Sequence, residues 1–364
     1  MVYVCLNLRR NRQLSRLLGR FLSSLFSIYL HSLVELKKMM KHFWTFVCVV
    51  LLGSLSLSAQ KVDYSVVSVP EETGTEFTRI TSANDYVCMP LVKRFSKGIQ
   101  WFSNRILGIS MDGKNIAYLS QRNNTTNIFI KELGKQGGSV QRTNRNGVID
   151  FSYSPDGKYI CFSEQRGKVC QILQTDATTG YVCRQITSAS NDYTPVYTND
   201  MKDILFARQE GGSISIWGHN IKNNFLSSYT VGMNPCPIPG ESAFLCSRSN
   251  SSGQNEIWKI NYATGVEECI VSSPSVSYTT PIISPDGKWV LFVGGSLIAD
   301  GNVRYYNTDI YVCRLDGSEL AQLTYHAADD LSPVWSKDGR YIYFISQRGD
   351  AAGTANIWRM SFVY

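Results

Sequence analysis

Ser154-Pro-Asp-Gly-Lys158 and Ser284-Pro-Asp-Gly-Lys288 are one pentapeptide written twice, and three near copies stand in step with them. The variants are Ser110-Met-Asp-Gly-Lys114, Thr198-Asn-Asp-Met-Lys202 and Ser336-Lys-Asp-Gly-Arg340. Asp112, Asp156 and Asp200 are 44 residues apart, and Asp286 and Asp338 are 52 apart. The 86-residue gap between Asp200 and Asp286 holds a sixth, degenerate copy at Pro237-Ile-Pro-Gly-Glu-Ser-Ala-Phe-Leu-Cys246. An Asp-Gly step between β-rich runs marks a hairpin, because glycine takes the positive φ that a tight turn needs.

Working outward from each turn, the same order of short apolar runs recurs. A first strand enters through proline, as in Thr194-Pro-Val-Tyr197, Thr280-Pro-Ile-Ile283 and Ser332-Pro-Val-Trp335. A second follows the turn, as in Tyr159-Ile-Cys-Phe162 and Tyr341-Ile-Tyr-Phe344. A third carries an acid or amide, Ile and an aromatic: Asn127-Ile-Phe129, Glu256-Ile-Trp258, Asp309-Ile-Tyr311 and Asn356-Ile-Trp358. A fourth shows in Arg184-Gln-Ile-Thr187 and Ala321-Gln-Leu-Thr324. Four strands per unit of 40 to 50 residues is the signature of a β-propeller blade. The fold class expected is all-β, a six-bladed β-propeller.

The ends of the array predict how it closes. The last unit stops at Trp358-Arg-Met-Ser-Phe-Val-Tyr364, without a fourth strand. Near the start, Thr78-Arg-Ile-Thr-Ser-Ala-Asn-Asp-Tyr86 echoes Arg184-Gln-Ile-Thr-Ser-Ala-Ser-Asn-Asp-Tyr193, a fourth-strand segment. An N-terminal strand therefore completes the last blade and removes two open sheet edges. Residues 76–364 form this domain, and 60–75 precede it as an N-terminal segment.

The Ser-Pro-Asp-Gly-Lys hairpin followed by Asp-Ile-Tyr or Asn-Ile-Trp resembles the WD-like repeat of the TolB-type periplasmic β-propellers, over roughly residues 76–364. The resemblance implies a non-enzymatic binding scaffold of the cell envelope, with a protein or peptide partner, no cofactor and a monomeric state. The alternative it leaves is a carbohydrate-active or other small-ligand enzyme using the central channel. No separate N-terminal α/β domain of the TolB kind is expected. In propellers of this family the residues entering the first strand lie at the channel mouth. Asn104, Asp192, Asn234, Tyr278 and Asp330 hold that position here and are the candidate partner-binding residues.

Phe43 to Leu57 form an apolar run of 15 behind Lys37, Lys38 and Lys41. That is short of the roughly 20 residues a membrane span needs. Small residues follow, so 39–59 reads as a signal peptide cleaved near Ser58 or Ala59. It sends the product to the periplasm or outside the cell, with no membrane span in the mature chain. Residues 1–38 read as an over-extended N-terminus preceding the start at Met39 or Met40. The net charge of +7 comes from this leader: eight Lys/Arg against Glu35 leave 28 basic and 28 acidic residues beyond it. A neutral folded part lacks the footprint of a nucleic-acid binder.

Catalytic signals are sparse. The chain contains no Gly-x-Ser-x-Gly elbow, which argues against the peptidases that carry propellers of this kind. Beyond the leader only His219 and His326 remain, too few for a His-rich metal site, so no metal is expected. Asp150, Asp192 and Asp330 are the carboxylates nearest the channel. Eight cysteines follow the leader without a Cys-x-x-Cys pair; Cys236 and Cys246, on adjacent strands, are the most plausible bridge, and buried free thiols are the favoured state. Phe162, Phe206, Phe292 and Phe344 form one recurring column, and Trp217, Trp258, Tyr311 and Trp358 another, as packing between blades.

Overall fold

The computed structural model describes residues 64–90, 105–135, 137–300 and 303–363. Residues 1–38, the expected signal peptide 39–59 and Asn104 lie outside the described residues. Strand β1 (Phe77–Arg79) precedes a first meander of β2 (Leu107–Ile109), β3 (Asn115–Arg122), β4 (Thr125–Glu132) and β5 (Val140–Gln141). A second comprises β6 (Val148–Tyr153), β7 (Tyr159–Arg166), β8 (Val169–Asp176) and β9 (Val182–Gln185). The third is β10 (Asn191–Tyr197), β11 (Asp203–Glu210), β12 (Ser213–Asn220) and β13 (Leu226–Val231). A fourth runs through β14 (Met233–Pro237), β15 (Ala243–Ser249), β16 (Asn255–Asn261) and β17 (Glu267–Val271). The fifth is β18 (Val276–Ile283), β19 (Trp289–Asp300), β20 (Val303–Arg314) and β21 (Ala321–Gln322). Last come β22 (Asp330–Trp335), β23 (Tyr341–Ser346) and β24 (Asn356–Ser361). The described residues are all-β, with a helical content of two single 3-10 turns.

Local chemistry explains why each meander turns where it does. In the second, Ser154 Oγ donates to Asp156 Oδ1 at 2.7 Å and accepts the Tyr159 N–H at 2.9 Å. The same Asp156 oxygen accepts the Lys158 N–H at 3.1 Å, and Gly157 takes φ +73°. Ser110, Thr198, Ser284 and Ser336 repeat this arrangement. The third copy has no glycine, so Met201 is held at φ +57°.

Second strands are continuous apolar runs because both their faces are covered by neighbouring sheets. Tyr118, Phe162, Phe206, Phe292 and Phe344 are fully buried, and each pairs across the ladder with a third-strand residue: Phe129, Leu173, Trp217, Tyr311 and Trp358. In the fourth meander Cys246 takes the aromatic's place opposite Trp258.

First strands touch in the order β2, β6, β10, β14, β18, β22, and β22 touches β2 again. Polar bonds cross these boundaries: Ile106 N donates to Ser332 Oγ and Thr194 N to Asp150 Oδ2, each at 3.0 Å. β1 is antiparallel to β24, with Thr78 opposite Arg359, and gives that sheet its fourth strand. Thr81 Oγ1 extends the pairing by accepting the Ile357 N–H at 2.8 Å.

Residues 64–75, read from sequence only as a leading segment, dock on the last sheet. Gly349 N donates to Val66 O at 2.6 Å and Asp350 N to Tyr64 O at 2.8 Å.

Candidate functional site: the face where the first strands begin

Asp192, Tyr278 and Asp330 each stand six residues before the Ser or Thr that opens their hairpin. The structure puts all three at the start of a first strand and buries them. Asn234 does not share that position. It lies four residues before Ile238, whose N–H closes the fourth turn onto Ala243 O. Asn234 therefore belongs with Thr194, Thr280 and Ser332, all at φ between +52° and +58° where the first strand bulges. The bulge inserts one residue, and the degenerate fourth repeat hid the offset. Val148 is the second meander's counterpart of Asp192.

The two buried aspartates of the column are held by arginines. Arg208 Nε and Nη2 reach the two oxygens of Asp192 at 2.8 and 3.1 Å. Arg348, itself fully buried, bonds Asp330 and also takes both oxygens of Glu72 at 3.0 Å. Burial pushes the Asp330 carboxyl up to about 6, against the pull of Arg348. Asp309 on β20 is pushed up to about 9, by burial first and then by the negative charge of Asp330. Burial also raises Asp150 to about 6, opposed by hydrogen bonds that include the Thr194 N–H.

A fourth carboxylate is shared by two arginines. Glu164 accepts Arg145 Nε at 2.7 Å and Nη2 at 2.9 Å, Arg166 Nε at 2.7 Å and Gln171 Nε2 at 3.1 Å. Burial opposes its ionisation, but these donors prevail and hold the carboxyl below the usual glutamate range. Sequence reading missed these arginines. Their signal was present in Ser120-Gln-Arg122, Glu164-Gln-Arg166 and Ser346-Gln-Arg348, a tripeptide recurring at the end of second strands.

Two clefts open on this face. An apolar one of about 650 Å³ is lined by Tyr86, Cys88, Met89, Gln121, Thr126 and Ile149 over a buried floor of Ile106, Leu119 and Val148. Beside it a polar cleft of about 420 Å³ is lined by Asn144, Arg145, Asn146, Glu164 and Arg166. Gln165 is a wall of both, and its N–H donates to Gly147 O at 2.9 Å.

No family model matches the chain. Among curated proteins it is 25% identical over 212 residues to the Tol-Pal system protein TolB of Francisella tularensis subsp. mediasiatica, covering 57% of this chain. The chain spans about half the length of that relative, 47%. Among solved structures, a putative TolB from Agrobacterium tumefaciens superposes with a TM-score of 0.53 at 16% identity, covering 71% of this chain and 90% of that one. The chain is similar to TolB in sequence over those 212 residues, and to TolB propellers in fold. An oligogalacturonate lyase from Vibrio parahaemolyticus also superposes, with a TM-score of 0.53 at 14% identity over 82% of this chain and 95% of that one. At such identity the likeness concerns the fold alone.

Other polar groups of the chain are dispersed. His219 sits buried on β12, and burial lowers its basicity. His326, in the connection before β22, accepts the Ala328 N–H on Nδ1 at 2.8 Å. Among the described residues no three His, Cys, Asp or Glu side chains are grouped as a metal ion would need. No helix among them is long and apolar enough to cross a membrane. Register rules out the Cys236–Cys246 bridge, the most plausible alternative to free thiols. Cys236 pairs with Leu245, so Cys246 is one residue out of step and points to the opposite face of the sheet. Cys236 packs with Leu245 and Phe292, Cys246 with Leu205 and Phe244. All eight thiols of the described residues are free.

Proposed function

We propose that the protein is a six-bladed propeller, closed by β1, that acts as a non-enzymatic binding scaffold of the cell envelope, exported to the periplasm or beyond. The observation that carries this is how the carboxylates of the first-strand face are used. Asp192, Asp330, Glu72 and Glu164 are each clamped by an arginine, an arrangement that spends their charge on holding the ring and leaves the surface for binding. Similarity to TolB supports the envelope role. The cyclic contacts of the first strands and the β1–β24 pairing support six blades and closure.

Asp192, Tyr278 and Asp330 shape the channel mouth from beneath, while Asn234 supports the bulge. The partner itself meets the surface above them. The competing reading is a carbohydrate-active enzyme of the channel. Asp150, with its raised carboxyl, would be its acid.

Affinity capture from envelope extract of the source organism, with tagged wild-type protein and a variant of the exposed cleft residue Tyr86, Tyr86→Asp, of unchanged melting temperature, tests the proposal. One envelope protein retained by the wild type and lost by the variant is expected. Turnover of an oligosaccharide, abolished by Asp150→Asn, would overturn it.

A further inference from the structure

The two adjoining clefts differ in chemistry, and together they specify a ligand more narrowly than either does. Arg145 already satisfies both oxygens of Glu164, so Arg166 is surplus to neutralising that carboxylate. Its side chain is 57% exposed and binds Glu164 through Nε. Both of its Nη groups are without a partner among the described residues and stay available at the rim. Two guanidinium groups against one carboxylate leave the polar cleft with a net positive charge, and Glu164 fixes where that charge sits. Planar guanidinium edges of this kind match a carboxylate with two parallel hydrogen bonds.

Across the Gln165–Gly147 bridge the chemistry changes to apolar side chains, with Gln121 and Thr126 able to bond a backbone amide. We propose that the paired clefts are one bipartite site for an extended peptide segment in which an acidic group directly adjoins apolar side chains. The carboxylate lies on Arg166 and Arg145, and the apolar side chains lie against Tyr86, Cys88, Met89 and Ile149, the lining residues that keep exposed surface. An acidic saccharide satisfies the arginines equally well. It would also turn several hydroxyls toward apolar walls, where each unmade hydrogen bond opposes binding. The peptide is therefore the better occupant. This inference rests on the binding-scaffold reading and names the partner's chemistry.

Selection of a random heptapeptide display library on the full chain tests it. The enriched sequences are expected to share one Asp or Glu beside at least two large apolar residues. A synthetic peptide of that consensus should bind about 10-fold more weakly to Arg166→Gln, and lose as much when its own acid becomes the amide. Arg166 is exposed, so this variant keeps the fold; Arg145→Gln should weaken binding further. Enrichment of no sequence family, enrichment without an acid, or an affinity that Arg166→Gln leaves unchanged would overturn the proposal. Arg166-dependent binding of trigalacturonate with no peptide enriched would overturn it in favour of an acidic glycan. An envelope protein captured equally by wild type and Arg166→Gln would leave the scaffold standing while removing this subsite.

Discussion

Arg348 takes both carboxylate oxygens of Glu72 at 3.0 Å, across 276 residues of sequence, and neither side chain is exposed. One guanidinium thereby joins the segment before β1 to Asp330 on the last sheet. Removing it would leave two buried carboxylates facing each other. Arg348→Met is expected to destabilise the protein by about 3–5 kcal/mol, read as a shift of the urea midpoint with an unchanged slope.

Closure depends on β1 in a separate way. Without it β24 would present an open edge, and the Ile357 N–H would lose Thr81. Phe77 would also leave its edge-on contact with Phe344. Deleting residues 76–82 is expected to lower the thermal midpoint and promote aggregation through the exposed strand. Unfolding that is unchanged by the deletion would refute closure by this strand.

Stability should fall on the alkaline side because of Asp309. Its carboxyl titrates near 9 in the folded protein against 3.8 ordinarily, so the folded state holds that proton more tightly. The contribution is complete below about pH 4 and is lost progressively as pH rises toward 9. Asp330, Glu72 and Arg348 are the charged groups facing it. The hairpin aspartates Asp156, Asp286 and Asp338 are shifted down by their Ser partners, so their contribution runs the other way and fades in acid. Asp309→Asn is expected to flatten the decline between pH 5 and 9 in thermal melts and to leave the acid limb unchanged.

Met201 occupies the positive-φ corner that glycine holds in the Asp-Gly turns. A side chain with a Cβ pays roughly 1–2 kcal/mol there, and glycine returns part of that gain as chain entropy. Met201→Gly is expected to stabilise the protein by about 0.5–1 kcal/mol in denaturant titration. A loss of stability would mean that the Met201 side chain contributes packing that outweighs the strain.

The repeating strands and hairpins were legible because each turn carries its own chemistry: Ser154, Asp156 and Gly157 build it without help from the rest of the chain. The strand completing the last sheet was legible for the same reason, since Thr78 to Tyr86 repeats Arg184 to Tyr193. The site was far less legible. Whether Asp192 faces solvent or Arg208 depends on a cross-strand pairing, and Asn234 was misaligned because a bulge and a degenerate turn fall in the same meander. Glu72 carries no local motif, and its partner lies 276 residues away. The alternative Cys236–Cys246 bridge is excluded by one residue of register, which adjacency in sequence does not reveal.

Site-specific photocrosslinking tests the central claim most directly. A photoreactive residue at Thr126, on the face where the first strands begin, is compared with one at Lys158, in an Asp-Gly turn at the other end of the sheets. The account predicts that in envelope extract Thr126 captures one protein reproducibly and Lys158 does not. Capture from Lys158 alone, or equal capture from both positions, would contradict it.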